Sequence, residues 1–292
     1  MATPSLNNMN EKNQFLGTLV NKIGRQEYSS KAYLNPLAKF KKGFIDNANE
    51  IEEIYVARVQ GLSQDLDGTT TLKRVKPDVK TLYHNQEYGK CYTATITDKQ
   101  VRQAFTSKDG IKRIADEILS QQHTGVEYDE YVAMKKAIND FAAAVPETAQ
   151  RTITEVTNQT TAKDFVKKIK KDIGKMQFRG TNYCQYEQHS KAEDLVLFIH
   201  IDYQAEIDVE LLATAFNIDK AELNTRVVYV DDFANKKLRA VLLDVGAIKV
   251  FDTLYNNEQQ RNAQGMFTNY HLNVEKIVSY STLYNGASYS IA

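Results

Sequence analysis

The segment that most restricts this chain is Gly61–Lys76, GLSQDLDGTTTLKRVK. It is polar, carries two glycines and contains a run of threonines. IEEIYVARV (Ile51–Val59) precedes it, and VKTLYH (Val79–His84) and CYTATIT (Cys91–Thr97) follow. These flanks read as strands. The expectation is a long β-hairpin with a mobile tip. Too few apolar residues lie near that tip to form a core, and only burial offsets the entropy lost on ordering a chain. Such an arm either stands in solvent or lies on another molecule.

The remainder can fold conventionally. A chain of 292 residues, 42% of them hydrophobic, can bury a large core. Lys+Arg is 37 and Asp+Glu is 37, a net charge of zero. That balance counts against a globally basic nucleic-acid binder and against an acidic solvating chain, while leaving local patches open. Cys91 and Cys184 form no CxxC pair, and five scattered histidines offer no zinc spacing. The expectation is two buried or idle thiols in a reducing compartment. The start, MATPSLNNMNEKNQ, has no apolar signal segment, and no run approaches the ~18 apolar residues of a membrane span. Seventeen tyrosines and no tryptophan hint weakly at partly wet interfaces.

Residues 1–12 read as a tail. Phe15, Leu16, Leu19, Val20 and Ile23 then recur at helical spacing, a short amphipathic helix that needs something to dock on. Thr97 and Asp98 can cap a segment to Phe105, and Asp109 the next. Ile111, Ile114, Ile118, Leu119, Tyr128, Tyr131, Val132, Ala137, Ile138, Phe141 and Val145 pattern a long helix ending at Pro146, with a break expected near Gly125. Thr160–Met176 is a second amphipathic helix. Its stripe is Phe165, Val166, Ile169, Ile173 and Met176, with six lysines mainly elsewhere. LVLFIHIDY, RVVYVDDF and AVLLDV read as strands and Asp208–Asn217 as a helix capped by Asp208. KVFDTLY, FTNYHLNV and KIVSYSTLY read as a terminal meander. No βαβ repeat appears, so the class is α+β.

Chemistry is sparsely signalled. No GxxxxGK[ST], GxGxxG, HExxH or GxSxG occurs. Asp202, Glu206, Asp208 and Glu210 share one segment, and Asp231 and Asp232 are adjacent. Paired carboxylates can do acid–base work or hold a divalent ion, although a helix cap and first-turn charge compensation explain Asp208 and Glu210. His200 in its apolar strand reads as a hydrogen-bonded core histidine. The lysine-rich helix reads as a solvated face that could touch phosphate. KFKKG (Lys39–Gly43) is a second small basic cluster. Asn158-Gln159-Thr160 matches a glycosylation sequon, which means little without a secretion signal. No catalytic residue, metal site or cofactor is nominated, and extended arms point to an assembly subunit.

Several segments, in order, resemble the major capsid proteins of small short-tailed phages, the phi-29 group. They are NPLAKFKKG (Asn35–Gly43), IEEIY (Ile51–Tyr55), PDVKTLYH (Pro77–His84), TITDKQVRQAF (Thr95–Phe105), YDEYVAMK (Tyr128–Lys135), AEIDVELLATAFN (Ala205–Asn217), AVLLD (Ala240–Asp244), VFD (Val250–Asp252) and RNAQGMFTNYH (Arg261–His271). The resemblance covers roughly Phe15 to Ala287. It implies the Johnson fold of tailed phages and herpesviruses. Residues 1–43 would be an N-terminal arm and leading segment, 44–97 an extended loop (E-loop) hairpin, and 98–146 peripheral helices including a spine helix. Residues 147–242 would be an axial domain and 243–292 a return to the peripheral sheet, with no appended immunoglobulin-like domain. The usual tryptophan-rich C-terminal strands read here as GAIKVFD and MFTNYHLNVEK.

The implied function is self-assembly into hexamers and pentamers of an icosahedral or prolate head enclosing double-stranded DNA. The implied partners are itself, a scaffolding protein, a portal and, non-specifically, the DNA, with no membrane. The implied location is the virion, after assembly in the bacterial host cytoplasm. Arg58, Lys73, Arg74 and Lys76, dense beside the polar tip, are candidates for contact with a neighbour's acids, and Phe15 and Leu19 for docking of the arm. The alternatives are another virion or assembly protein (portal, tail or scaffold) and an enzyme using Asp202, Asp208 and Asp231.

Overall fold

A computed structural model describes residues 31–46, 49–61, 74–86, 88–98, 108–203, 207, 209–216 and 226–292. The expected amphipathic helix at Phe15–Ile23, the hairpin tip, the segment to Phe105 and the Asp208 cap lie outside the described residues.

Two compact units form. One takes its described residues from 1–38, 88–131 and 252–276, the other from 39–87, 132–251 and 277–292. The second holds a five-stranded mixed sheet in the order β4-β10-β7-β5-β6, from β4 (Gln150–Ile153), β5 (Leu195–His200), β6 (Val227–Val230), β7 (Leu238–Asp244) and β10 (Gly286–Ile291). β5 runs parallel to β6 and antiparallel to β7. Leu195–Ile199 is buried at every position, which explains its unbroken apolar run. α2 (Gln159–Met176) buries Phe165, Val166, Ile169, Ile173 and Met176 as its periodicity predicts. Phe165 meets Tyr289 of β10 edge-on at 5.7 Å. Asn158 proves to be the cap of α2: its Oδ1 accepts from Thr161 N at 2.9 Å, and Thr161 Oγ1 accepts from Asn158 N at 3.2 Å. α3 (Val209–Phe216) packs on α2.

A buried polar hub joins the same layers. Asp172, on the inner side of α2, accepts from Tyr183 Oη at 2.7 Å, Tyr289 Oη at 2.9 Å and the Arg151 guanidinium at 3.1 and 3.2 Å. Burial and the Asp172 carboxylate hold the Tyr289 phenol far above its ordinary range.

Secondary structure and burial depart from expectation in four places. The long helix α1 (Lys108–Ala144) runs unbroken through Gly125. A Cβ there would sit 3.2 Å from the Tyr92 ring, so the glycine permits a close approach instead of a break. Tyr128 and Val132 are exposed, because the buried side of α1 follows Val126, Glu130, Met134, Ala137, Ile138 and Phe141. CYTATIT does not return beside the hairpin. It is β3 (Tyr88–Thr97), paired with β9 (Phe267–Tyr280) from Tyr88↔Lys276 to Thr97↔Phe267, in a three-stranded sheet with β8 (Ile248–Asn262). The terminal meander is therefore two long strands, and β10 joins the five-stranded sheet instead. Cys184 is buried and Cys91 exposed, both as free thiols.

The first unit carries a buried charge cluster. Lys276 Nζ contacts Glu130 Oε2 and lies 2.9 Å from Asp252 Oδ1. Asn35 Nδ2 donates to Glu130 Oε1 at 2.8 Å, tying the segment at Asn35 to α1.

Candidate functional site

The hairpin consists of β1 (Glu50–Val56) and β2 (Val79–Asn85), antiparallel from Glu50↔Asn85 to Val56↔Val79. Directly opposed residues share a face. One face holds Ile51 with His84, Glu53 with Leu82, and Tyr55 with Lys80. The other holds Glu52 with Tyr83, Ile54 with Thr81, and Val56 with Val79.

The first face is mounted on the body of its unit. Tyr55 is buried, donates through its hydroxyl to Glu187 O at 3.1 Å and packs against the Tyr186 ring. Glu53 Oε1 accepts from Lys249 Nζ at 2.6 Å, and Glu53 Oε2 lies 3.2 Å from His84 Nε2. The other ring nitrogen of His84 lies 3.0 Å from Ser279 Oγ. Burial would raise the Glu53 carboxyl. Hydrogen bonds from His84, Lys249 and Ser281, with the Lys249 charge, outweigh it and hold the group at about 2. Burial, then the Lys249 charge, pushes Lys42 down to about 8. Gly43, at φ +112°, makes the turn before the hairpin in a region that favours glycine. This mount is legible in sequence only as the alternation of Ile51, Glu53 and Tyr55. Glu53 reads there as a surface acid, and Lys249, 196 residues away, carries no local signal.

The second face is exposed and carries an apolar patch beside Glu52 and Thr81. Ile54 is 57% exposed, Val56 55%, Val79 50% and Tyr83 55%. Val59 and Val75, toward the tip, are exposed as well. Apolar side chains gathered on one face of a two-stranded ribbon make a contact surface for another molecule.

Of the sequence-nominated contact residues, Arg58 is held within its own chain, its Nε 3.0 Å from Glu187 Oε2. Arg74 and Lys76 are exposed in the segment that leads into β2. Lys73, Phe15 and Leu19 lie outside the described residues. Of the acidic candidates, Glu206 and Asp208 lie outside the described residues. Asp231 and Asp232 both receive Lys135, at 2.6 and 2.5 Å. Asp202 is largely exposed and pairs with His200 Nδ1 at 3.3 Å. Among the described residues no group of His, Cys, Asp or Glu is placed to hold a metal ion. Among them, too, no helix is long and apolar enough to cross a membrane.

The long helix, the mixed sheet and the hairpin can be compared with known folds. The chain aligns with a chain from the capsid of Staphylococcus phage Andhra at a TM-score of 0.78 and 14% identity, covering 92% of this chain and 87% of that one. The fold is the tailed-phage capsid fold, α+β, as the sequence implies.

The chain belongs to the family of Phi29-like phage major capsid proteins, which matches residues 1–290. It is 32% identical to the major capsid protein of Bacillus phage GA-1 over 285 residues, which is 95% of this chain and 60% of that protein. Against the major capsid protein of Bacillus phage PZA it is 33% identical, covering 97% of this chain and 64% of that one. The chain thus spans somewhat less than two thirds of the length of these relatives.

Proposed function

We propose that this chain is a structural shell subunit, self-assembling into hexamers and pentamers of a head that encloses double-stranded DNA. The observation that carries the reading is the two-faced hairpin: one face is pinned by Tyr55, Glu53 and His84, while Ile54, Val56, Val79 and Tyr83 are left bare. Heterologous contacts between identical subunits close into rings, and an apolar ribbon laid across a neighbour is such a contact.

In this reading β1–β2, within 44–97, is the E-loop, and 1–43 is the arm with Phe15 and Leu19 docking on a neighbour. Residues 98–146 carry the spine helix, 147–242 the axial domain and 243–292 the peripheral return, with β10 completing the axial sheet. Lys73, Arg74 and Lys76 meet acids of the neighbouring copy. Arg58 joins them while keeping its own chain's Glu187 as a second partner. A scaffolding protein and a portal are the assembly partners, the virion is the destination, and assembly takes place in the host cytoplasm.

The test is deletion of Leu62–Arg74 from the full chain, expressed with and without a scaffolding partner and viewed by electron microscopy. The expected result is a folded subunit that forms no shells, beside wild-type shells. Normal shells from the deletion refute the E-loop contact. A single ring from the wild type points to a portal instead.

A further inference from the structure

α2 carries a charged face that the hairpin reading does not use. Lys163, Lys167, Lys168, Lys170, Lys171 and Lys175 are all exposed. Against these six the helix has only Asp164 and Asp172, and Asp172 is buried and held by Arg151, Tyr183 and Tyr289. Among the described residues no carboxylate forms an ion pair with any of the six, and Lys168 Nζ donates instead to Thr152 O at 3.0 Å. Lys163, Lys167, Lys171 and Lys175 follow at intervals of four residues, a row about 6 Å apart and about 18 Å long. Like charges so placed repel and destabilise a helix. A polyanion along the row reverses the sign of that term.

The exposed chemistry chooses between polyanions. From Gln159 to Lys175 every exposed side chain is polar: glutamine, threonine, lysine or aspartate. Protein interfaces are depleted in lysine at their centre and anchored by aromatic residues and arginine. Interfaces with nucleic acid are polar, wet and strongly basic. The row also lacks interleaved aromatics, so it is no stacking platform for single strands. The geometry points to the lysine face of α2 as a contact for the phosphate backbone of double-stranded DNA, independent of sequence. This inference rests on the shell reading above for the presence of DNA.

The experiment titrates a short labelled DNA duplex with the unassembled full-length chain over a salt series, reading fluorescence anisotropy. Each phosphate contact adds about 0.9 to the slope of log affinity against log salt. The variant Lys163→Gln/Lys167→Gln/Lys171→Gln/Lys175→Gln is expected to lose about 3–4 from that slope. Its affinity then falls about 10²-fold less than the wild type's for a roughly fourfold rise in salt.

A charge-matched variant, Lys80→Gln/Lys191→Gln/Lys236→Gln/Lys237→Gln, is expected to keep the wild-type slope; these lysines are exposed elsewhere. Phe178→Ala, just beyond the helix, is expected to bind DNA normally. Equal slopes for the two lysine variants overturn the inference, as does a wild type that does not bind the duplex at low salt. Preference for polyglutamate that depends on Phe178 overturns it in favour of an acidic protein partner. Thermal melting confirms that each variant is folded. Shells formed by the α2 variant show that the shell reading stands whatever the DNA result, while a wild type that never forms shells fails that reading alone.

Discussion

Substituting Glu53 by glutamine tests how the hairpin is held. The carboxylate sits on the inward face of β1 and receives Lys249 at 2.6 Å and His84 at 3.2 Å. It stands at about 2 against an ordinary 4.5. At 1.36 kcal/mol per pH unit that difference corresponds to about 3 kcal/mol of stabilisation by the ionised form. The side chain is only 14% exposed, so solvent screening takes little from the figure. The same magnitude follows from a second route: removing one partner of a buried ion pair costs about 3–5 kcal/mol, and Lys249 is itself mostly buried.

The sign follows from the direction of the shift. A carboxyl depressed in the folded state contributes stability that is fully present above about pH 4.5 and is lost as the pH falls toward 2. Glu53→Gln should therefore weaken the hairpin mount at pH 7 and converge with the wild type near pH 2. Hydrogen exchange of the β1–β2 amides reads the local opening. About 3 kcal/mol corresponds to exchange about 10²-fold faster at pH 7. Unchanged exchange in β1–β2 at pH 7, or a difference that persists undiminished as the pH nears 2, refutes the reasoning.

Three further outcomes are expected. Lys276→Met removes the ammonium that faces the buried Glu130 and the half-buried Asp252 and should cost about 3–5 kcal/mol in urea denaturation. Adding Glu130→Leu should recover much of that, and a single variant within about 1 kcal/mol of wild type contradicts the account. Gly286→Ala places a methyl against the Phe141 ring and should cost about 1–3 kcal/mol, seen as a lowered melting temperature. Ile54→Glu with Val79→Glu alters only exposed positions. It should leave stability within about 0.5 kcal/mol while abolishing shells in electron micrographs; normal shells would leave the bare face without a role.

Local pattern carried much of the architecture. The stripe of α2, the buried run Leu195–Ile199, the hairpin strands and the stop at Pro146 all follow from periodicity or proline. What could not be read locally was pairing. CYTATIT is as good a hairpin strand by composition as VKTLYH, and only the ladder with Phe267–Lys276 assigns it elsewhere. Gly125 looked like a break because local sequence does not show the Tyr92 ring that needs the space. The mount was hidden for the same reason. Glu53 and Lys249, like Glu130 and Lys276, are isolated charges whose partners lie more than a hundred residues away. The bare face of the hairpin, by contrast, is legible once the register is known, because Ile54, Val56 and Val79 fall on one parity.

The size of that bare face bears on how a shell made from it would behave. Full burial of a large apolar side chain stabilises by about 1.5–3 kcal/mol. Ile54, Val56, Val79 and Tyr83 are each already about half buried or less within their own chain. Covering what remains contributes on the order of 1 kcal/mol each, or roughly 4 kcal/mol for the face. Association costs about 4–15 kcal/mol in lost freedom. One hairpin on one neighbour is therefore marginal, and a misplaced subunit can leave. In a closed ring each subunit both gives and receives such a contact, and the later contacts form at high effective concentration. On the proposed reading, a weak hairpin face on a strong mount is what an error-correcting assembly requires: the mount keeps the ribbon presented, and the face stays too weak to trap a wrong neighbour.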